Sequence, residues 1–254
     1  MITPPPKVRG CQEMMIRRFA APINGLFELS PGRFMTWVIT LNLSVIGLAV
    51  FFGLLRGNLL KQFGEISLPT LASFIQLLLT ALICWRVFKL ESARVAQDNR
   101  AARPTIWALF AAGFIYLALD EVLKLHERMD KWIHLAFRFE RTVMTERFDD
   151  IIVALYMIGA LVVLFNYRRV LWKFLGTWPF VACVFAAAAI MIGADFLGAY
   201  QRAMINLAGP DRPDLLVTLC GVLENSSKII AEGLFLSGYF KCHFLVRPPA
   251  EVTC

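Results

Sequence analysis

Six apolar stretches, each close to the roughly 20 residues a helix needs to cross the hydrocarbon core of a bilayer, limit what this chain can become. They lie near 34–55, 67–89, 104–123, 150–167, 178–199 and 214–238. Lipid offers no partner for backbone N–H and C=O groups, so a spanning stretch must satisfy them within itself as a helix. No segment shows the apolar–polar alternation of a transmembrane barrel strand. The expected fold class is therefore all-α: a polytopic integral membrane protein with six transmembrane helices. Composition agrees. Of 254 residues, 58% are hydrophobic and 18% charged, against about 45–50% and 25% in soluble domains. A chain this short has too little interior to bury the excess. A disordered chain, a disulfide-stapled secreted miniprotein and a cytosolic enzyme are excluded.

Three parts are expected: a cytoplasmic N-terminal segment over 1–33, a six-helix transmembrane domain over 34–240, and a cytoplasmic tail over 241–254. The first twenty residues, MITPPPKVRGCQEMMIRRFA, have neither an apolar core nor a small-residue cleavage site. They do not read as a cleaved signal peptide, which leaves targeting to the first span. With the N-terminus inside, fifteen Lys and Arg fall on the inner side and ten on the outer, the bias that retains basic loops in the cytoplasm. Both termini are thus expected to be cytoplasmic, in the inner membrane of a bacterial cell. The net charge of +7 fits basic loops meeting anionic lipid. No basic run is interleaved with aromatics as a nucleic-acid face requires, so the expected partners are the lipid bilayer and either another protein or a second copy of the chain. No motif names a cofactor. Of the six cysteines, no two have C-x-x-C spacing, and they read as small packing residues.

The third loop, 121–149, does not look like coil. At 100° per residue, Asp120, Lys124, Glu127, Lys131, His134 and Arg138 form one stripe, and Val122, Leu125, Met129, Ile133 and Ala136 the opposite one. An amphipathic outer-side helix over 124–148 is expected, either continuing the third span or lying on the interface.

Ionisable residues inside a membrane mark functional sites by default. The third span carries Asp120 and Glu121, the fifth Asp195, and the sixth Glu224, Lys228 and Glu232. In the orientation above, the third and fifth spans end outside and the sixth begins there. Glu224 lies about 15 Å into the sixth span, with Glu232 about 12 Å deeper. All six residues therefore fall in or near the outer half of the bundle, and they are the candidate ligand-binding set. Glu224, Lys228 and Glu232 are spaced i, i+4, i+8, which stacks a lysine between two carboxylates on one helix face. Such a group is either a structural ion triad or the lining of a charged cavity. His126 and Glu127 are the candidate metal ligands, since imidazole and carboxylate suit zinc, iron or manganese. The H-E-x-x-H motif is absent, so a metal site would recruit acids from other helices.

The segment LALDEVLKLHE, together with an acid-bearing last span, resembles uncharacterised bacterial multi-pass membrane proteins that carry an LDE…HE helix. The resemblance implies a membrane fold and no particular chemistry. The chain departs from the pattern at Lys228, where those proteins tend to carry an acid.

Three functions fit these residues. One is an intramembrane carboxylate and lysine site that binds or transports a cation or small polar solute. The second is a non-catalytic membrane subunit or scaffold that docks a partner. The third is a metal-dependent membrane enzyme acting on lipid.

Overall fold

Proline is tolerated at the start of a helix, where its missing N–H would be unpaired in any case, and it punctuates this chain accordingly. Pro31 opens α1 (Pro31–Leu55), Pro69 and Pro179 are the second residues of α2 (Leu68–Asp98) and α7 (Trp178–Ala208), and Pro104 directly precedes α3 (Thr105–Leu123). The computed structural model describes residues 29–64, 67–98, 104–137, 148–208 and 215–247. The remaining elements are a 3-10 turn (Leu60–Phe63), α4 (Leu125–Phe137), α5 (Phe148–Asn166), α6 (Arg168–Leu175) and α8 (Leu215–Val246). Among the described residues there is no strand.

Among the described residues, four helices are long and apolar enough to cross a membrane: Pro31–Leu55, Leu60–Ala96, Thr105–Leu123 and Thr218–Val246. A fifth is added if Arg168–Leu175 and Trp178–Ala187, which meet at a bend of 111°, are counted as one broken span. Helices α5 and α7 occupy the fourth and fifth apolar stretches of the sequence.

The last helix is the hub. Of the most apolar window of Thr218–Val246, 72% is buried inside the protein, against 28% for Pro31–Leu55 and 22% for Thr105–Leu123. Helix α8 packs along α7 on one side and on α2 and α1 on the other, while α3 lies mainly against α2. Two close approaches fix the α7–α8 pair as antiparallel. A Cβ added at Gly238 of α8 would meet the Phe180 ring at 3.2 Å, and one added at Gly198 of α7 would meet the Glu224 carboxyl at 2.6 Å.

The C-terminal half of α8 is packed with aromatics. Tyr239 contacts Trp107 and Phe110 of α3, Phe114 one turn on, and Phe180 of α7, with ring centroids 5.1–6.3 Å apart. Phe240 stacks on Phe34 of α1 at 3.9 Å. The edge-to-face contacts of Tyr239 and the stack of Phe240 on Phe34 fill that half of the bundle with aromatic rings. The four described cysteines, Cys84, Cys183, Cys220 and Cys242, are buried and free; Cys11 and Cys254 lie outside the described residues.

A helix does follow the third span, but it does not continue it. Lys124 adopts the left-handed conformation (φ 51°, ψ 53°) between α3 and α4, its N–H donating to the Asp120 carbonyl at 2.6 Å. Residues with a Cβ pay roughly 1–2 kcal/mol there. Lys124→Gly is therefore expected to be tolerated, and the β-branched Lys124→Val to lower the thermal unfolding midpoint. Differential scanning of the purified variants checks both, and a Val variant as stable as the Gly variant would refute the assignment. Residues 138–147, the rest of the expected outer segment, lie outside those described.

Candidate functional site

Charged side chains at i and i+4 of a helix meet over one turn, and the last span uses this spacing. Lys228 Nζ donates to Glu224 Oε1 at 3.0 Å. The two side chains are 39% and 15% exposed, and the Glu224 carboxyl lies directly on Gly198 of α7. A side chain at 198 would occupy that space, so this glycine is what lets the carboxylate lie between α7 and α8.

Glu232 does not complete an ion triad. It is buried, and its Oε2 has no hydrogen-bond partner. Lys228 and Glu121 act on it through their charges, and the Ser73 hydroxyl faces it as a donor, short of full bonding geometry. The expected stack of three is therefore one pair and one separate carboxyl. The reason is that eight residues of helix turn the side chain by about 80°, so that Glu224 faces Gly198 of α7 and Glu232 faces Ser73 of α2.

Next to Glu232 along α8, at Ile229 and Gly233, the structure assembles an amide cluster that carries no charge to mark it in the sequence. Asn42 of α1 donates from Nδ2 to Gln76 Oε1 of α2 at 3.2 Å and to the Ile229 carbonyl of α8 at 3.0 Å. A Cβ added at Gly233 would sit 2.3 Å from Asn42 Nδ2 and 2.9 Å from Gln76 Oε1, so three helices converge at this glycine. Asn42, Ser73, Gln76 and Glu232 are 1%, 3%, 4% and 8% exposed. Glu232 is the midpoint of Thr218–Val246, and Asn42 is one residue short of the midpoint of Pro31–Leu55. Other polar groups nearby are satisfied within their own helices: Thr80 and Ser237 donate to carbonyls four residues back, at 2.8 Å, the usual economy for hydroxyls in apolar surroundings.

The other candidates divide. Asp120 is half-buried and Glu121 exposed near the end of α3, with Glu121 close enough to act on Glu232. Asp195 lies on α7 three residues before Gly198; its side chain, and those of His126 and Glu127, lie outside those described. His134, which sequence placed on a polar stripe, contacts the Asp130 carbonyl at 2.9 Å and its carboxylate at 3.2 Å. Among the described residues no three His, Cys, Asp or Glu side chains are grouped to hold a metal.

These features define an all-helical protein with several helices of membrane-crossing length, closed around its last helix, with uncharged polar groups and a carboxyl buried at mid-span. The chain belongs to the family described as a domain of unknown function (DUF8692), whose family model matches residues 34–243. No curated protein and no solved structure matches the chain.

Proposed function

We propose that this protein is a six-span protein of a bacterial inner membrane, with both termini cytoplasmic and α4 on the outer interface. In this reading its intramembrane carboxylate and lysine site binds or transports a cation or small polar solute. The observation that carries the reading is the Glu232 carboxyl, buried at the middle of the last span, with the Ser73 hydroxyl of α2 facing it and the Asn42–Gln76 amide pair against the neighbouring turn of α8. Burying a carboxyl without a bonded partner is costly, and in lipid such groups persist where they serve a ligand or ion path. Glu224 and Lys228 lie about two turns and one turn nearer the start of α8 and form the approach to Glu232. The aromatic packing around Tyr239 closes the opposite side.

The test is flux into liposomes containing the full chain, with sodium, potassium and protons each offered as a gradient. Wild-type protein is expected to raise the flux of at least one above that of empty liposomes. Glu232→Gln is expected to reduce it by about tenfold or more, the effect of losing a contact worth roughly 1.4 kcal/mol. Unchanged flux in Glu232→Gln sinks the reading. A partner protein that purifies in fixed ratio would support the scaffold instead. Bound zinc, iron or manganese lost on substituting His126 or Glu127 would support the lipid enzyme.

A further inference from the structure

We infer that Glu232 is a proton-binding site, its carboxyl exchanging a proton with water held among Asn42, Ser73 and Gln76 where α1, α2 and α8 meet. The inference rests on the reading above, that this region is a functional polar site, and names the ion it takes.

The hydrogen-bond ledger of the cluster leads to it. Four of its buried atoms lack a partner: Asn42 Oδ1, Ser73 Oγ, Gln76 Nε2 and Glu232 Oε2. The two amides are held in register by their own bonds. The Ile229 carbonyl can only accept, which places Asn42 Nδ2 against it and leaves Oδ1 over; Nδ2 can only donate, which places Gln76 Oε1 against it and leaves Nε2 over. What remains is an N–H donor, a hydroxyl that both donates and accepts, and two oxygen acceptors. A dehydrated metal cation wants oxygens alone, and the Gln76 N–H and the nearby Lys228 charge oppose it. Water both donates and accepts, and buried water sites typically offer three or so polar partners. A carboxyl in contact with such water can pass a proton to it, since Glu232 is the only member of the cluster that changes charge.

The titratable groups facing Glu232 are few. Glu121 of α3 and Lys228 of α8 act on it directly, and Lys228 is itself paired with Glu224. Helix α1 presents no acid or base between Arg33 and Arg56, and α2 presents Ser73 and Gln76 at this level. Asp195 is the acid of α7 nearest this region in sequence.

Dicyclohexylcarbodiimide tests the inference on the full chain in membranes. The O–H of a protonated carboxyl adds across the reagent's C=N bond, and the acyl group then shifts to nitrogen to give a stable N-acylurea, with no atom lost. Peptide mass mapping is expected to place the adduct on Glu232. Its rate should fall as pH rises, by about tenfold per unit once the carboxylate predominates, and should not change when sodium replaces choline. No adduct at Glu232, or an adduct on Glu224, Asp120 or Glu121 instead, overturns the inference. So does protection by sodium at fixed pH, which would make the site one for a metal cation. Mapping uses wild-type protein, so the result does not depend on whether Glu232→Gln folds. Labelled Glu232 in a protein that moves no ion or solute would leave this inference standing and refute the transport reading alone.

Discussion

Gly233→Ala is expected to destabilise this protein severely, although the change adds a single methyl group. The new Cβ would sit 2.3 Å from Asn42 Nδ2, 2.9 Å from Gln76 Oε1 and 3.0 Å from Val38, with atoms of two other helices in its way. Relief requires α1 to move off α8 or Asn42 to give up its bonds to Gln76 and Ile229. Overpacking a close-packed interior costs about 1–3 kcal/mol, and stranding a buried polar partner costs about 1–3 kcal/mol more. The expected loss is thus about 2–6 kcal/mol, read as a lower thermal midpoint and a lower yield of monodisperse protein in detergent. Gly113→Ala is the control. Nothing lies within 4 Å of a Cβ there, and alanine gains about 1 kcal/mol in helix propensity, so that variant should be at least as stable as wild type. Equal stability of the two variants would show that the three helices do not meet at Gly233.

The Glu224–Lys228 pair gives the second large effect. Lys228→Met strands a carboxylate that is only 15% exposed and lies against Gly198. For a fully buried pair, removing one partner costs about 3–5 kcal/mol. Lys228 is itself 39% exposed, which reduces the expected loss to about 1–3 kcal/mol. Combining Lys228→Met with Glu224→Gln should restore much of the stability, because no charge is then left alone. The cycle should return a coupling of about 0.5–3 kcal/mol. Additive losses would show that the two side chains act independently.

Hydropathy and local spacing were enough to read part of this from sequence. Helix α3 (Thr105–Leu123) falls within one residue of the apolar stretch 104–123, and Glu224–Lys228 follows from i, i+4 geometry. Helix ends were less legible. Helix α2 runs to Asp98 and α7 to Ala208, nine residues past the expected span edges in each case, because hydropathy marks where lipid ends and nothing there breaks the backbone ladder. The cluster at Glu232 was legible only in its acid. Asn42 and Gln76 are single uncharged residues in apolar runs, so neither charge nor hydropathy marks them. Their meeting depends on the rotation of α1 and α2 about their axes, set by contacts between residues as far apart as 187 positions. Gly233, beside an intramembrane acid, was the local hint of a close approach. The turn at Lys124 could not be read either, since a lysine carries no sign of positive φ.

The two glycines between α7 and α8 have a mechanical consequence. Gly238 receives Phe180 from α7, and Gly198 receives Glu224 from α8. The sockets stand on opposite partners, 14 residues apart along α8, so the pair is pinned at two points against both axial slip and rotation. The two helices behave as a stator. Under the transport reading proposed above, any rearrangement around Glu232 is borne by the elements facing that stator.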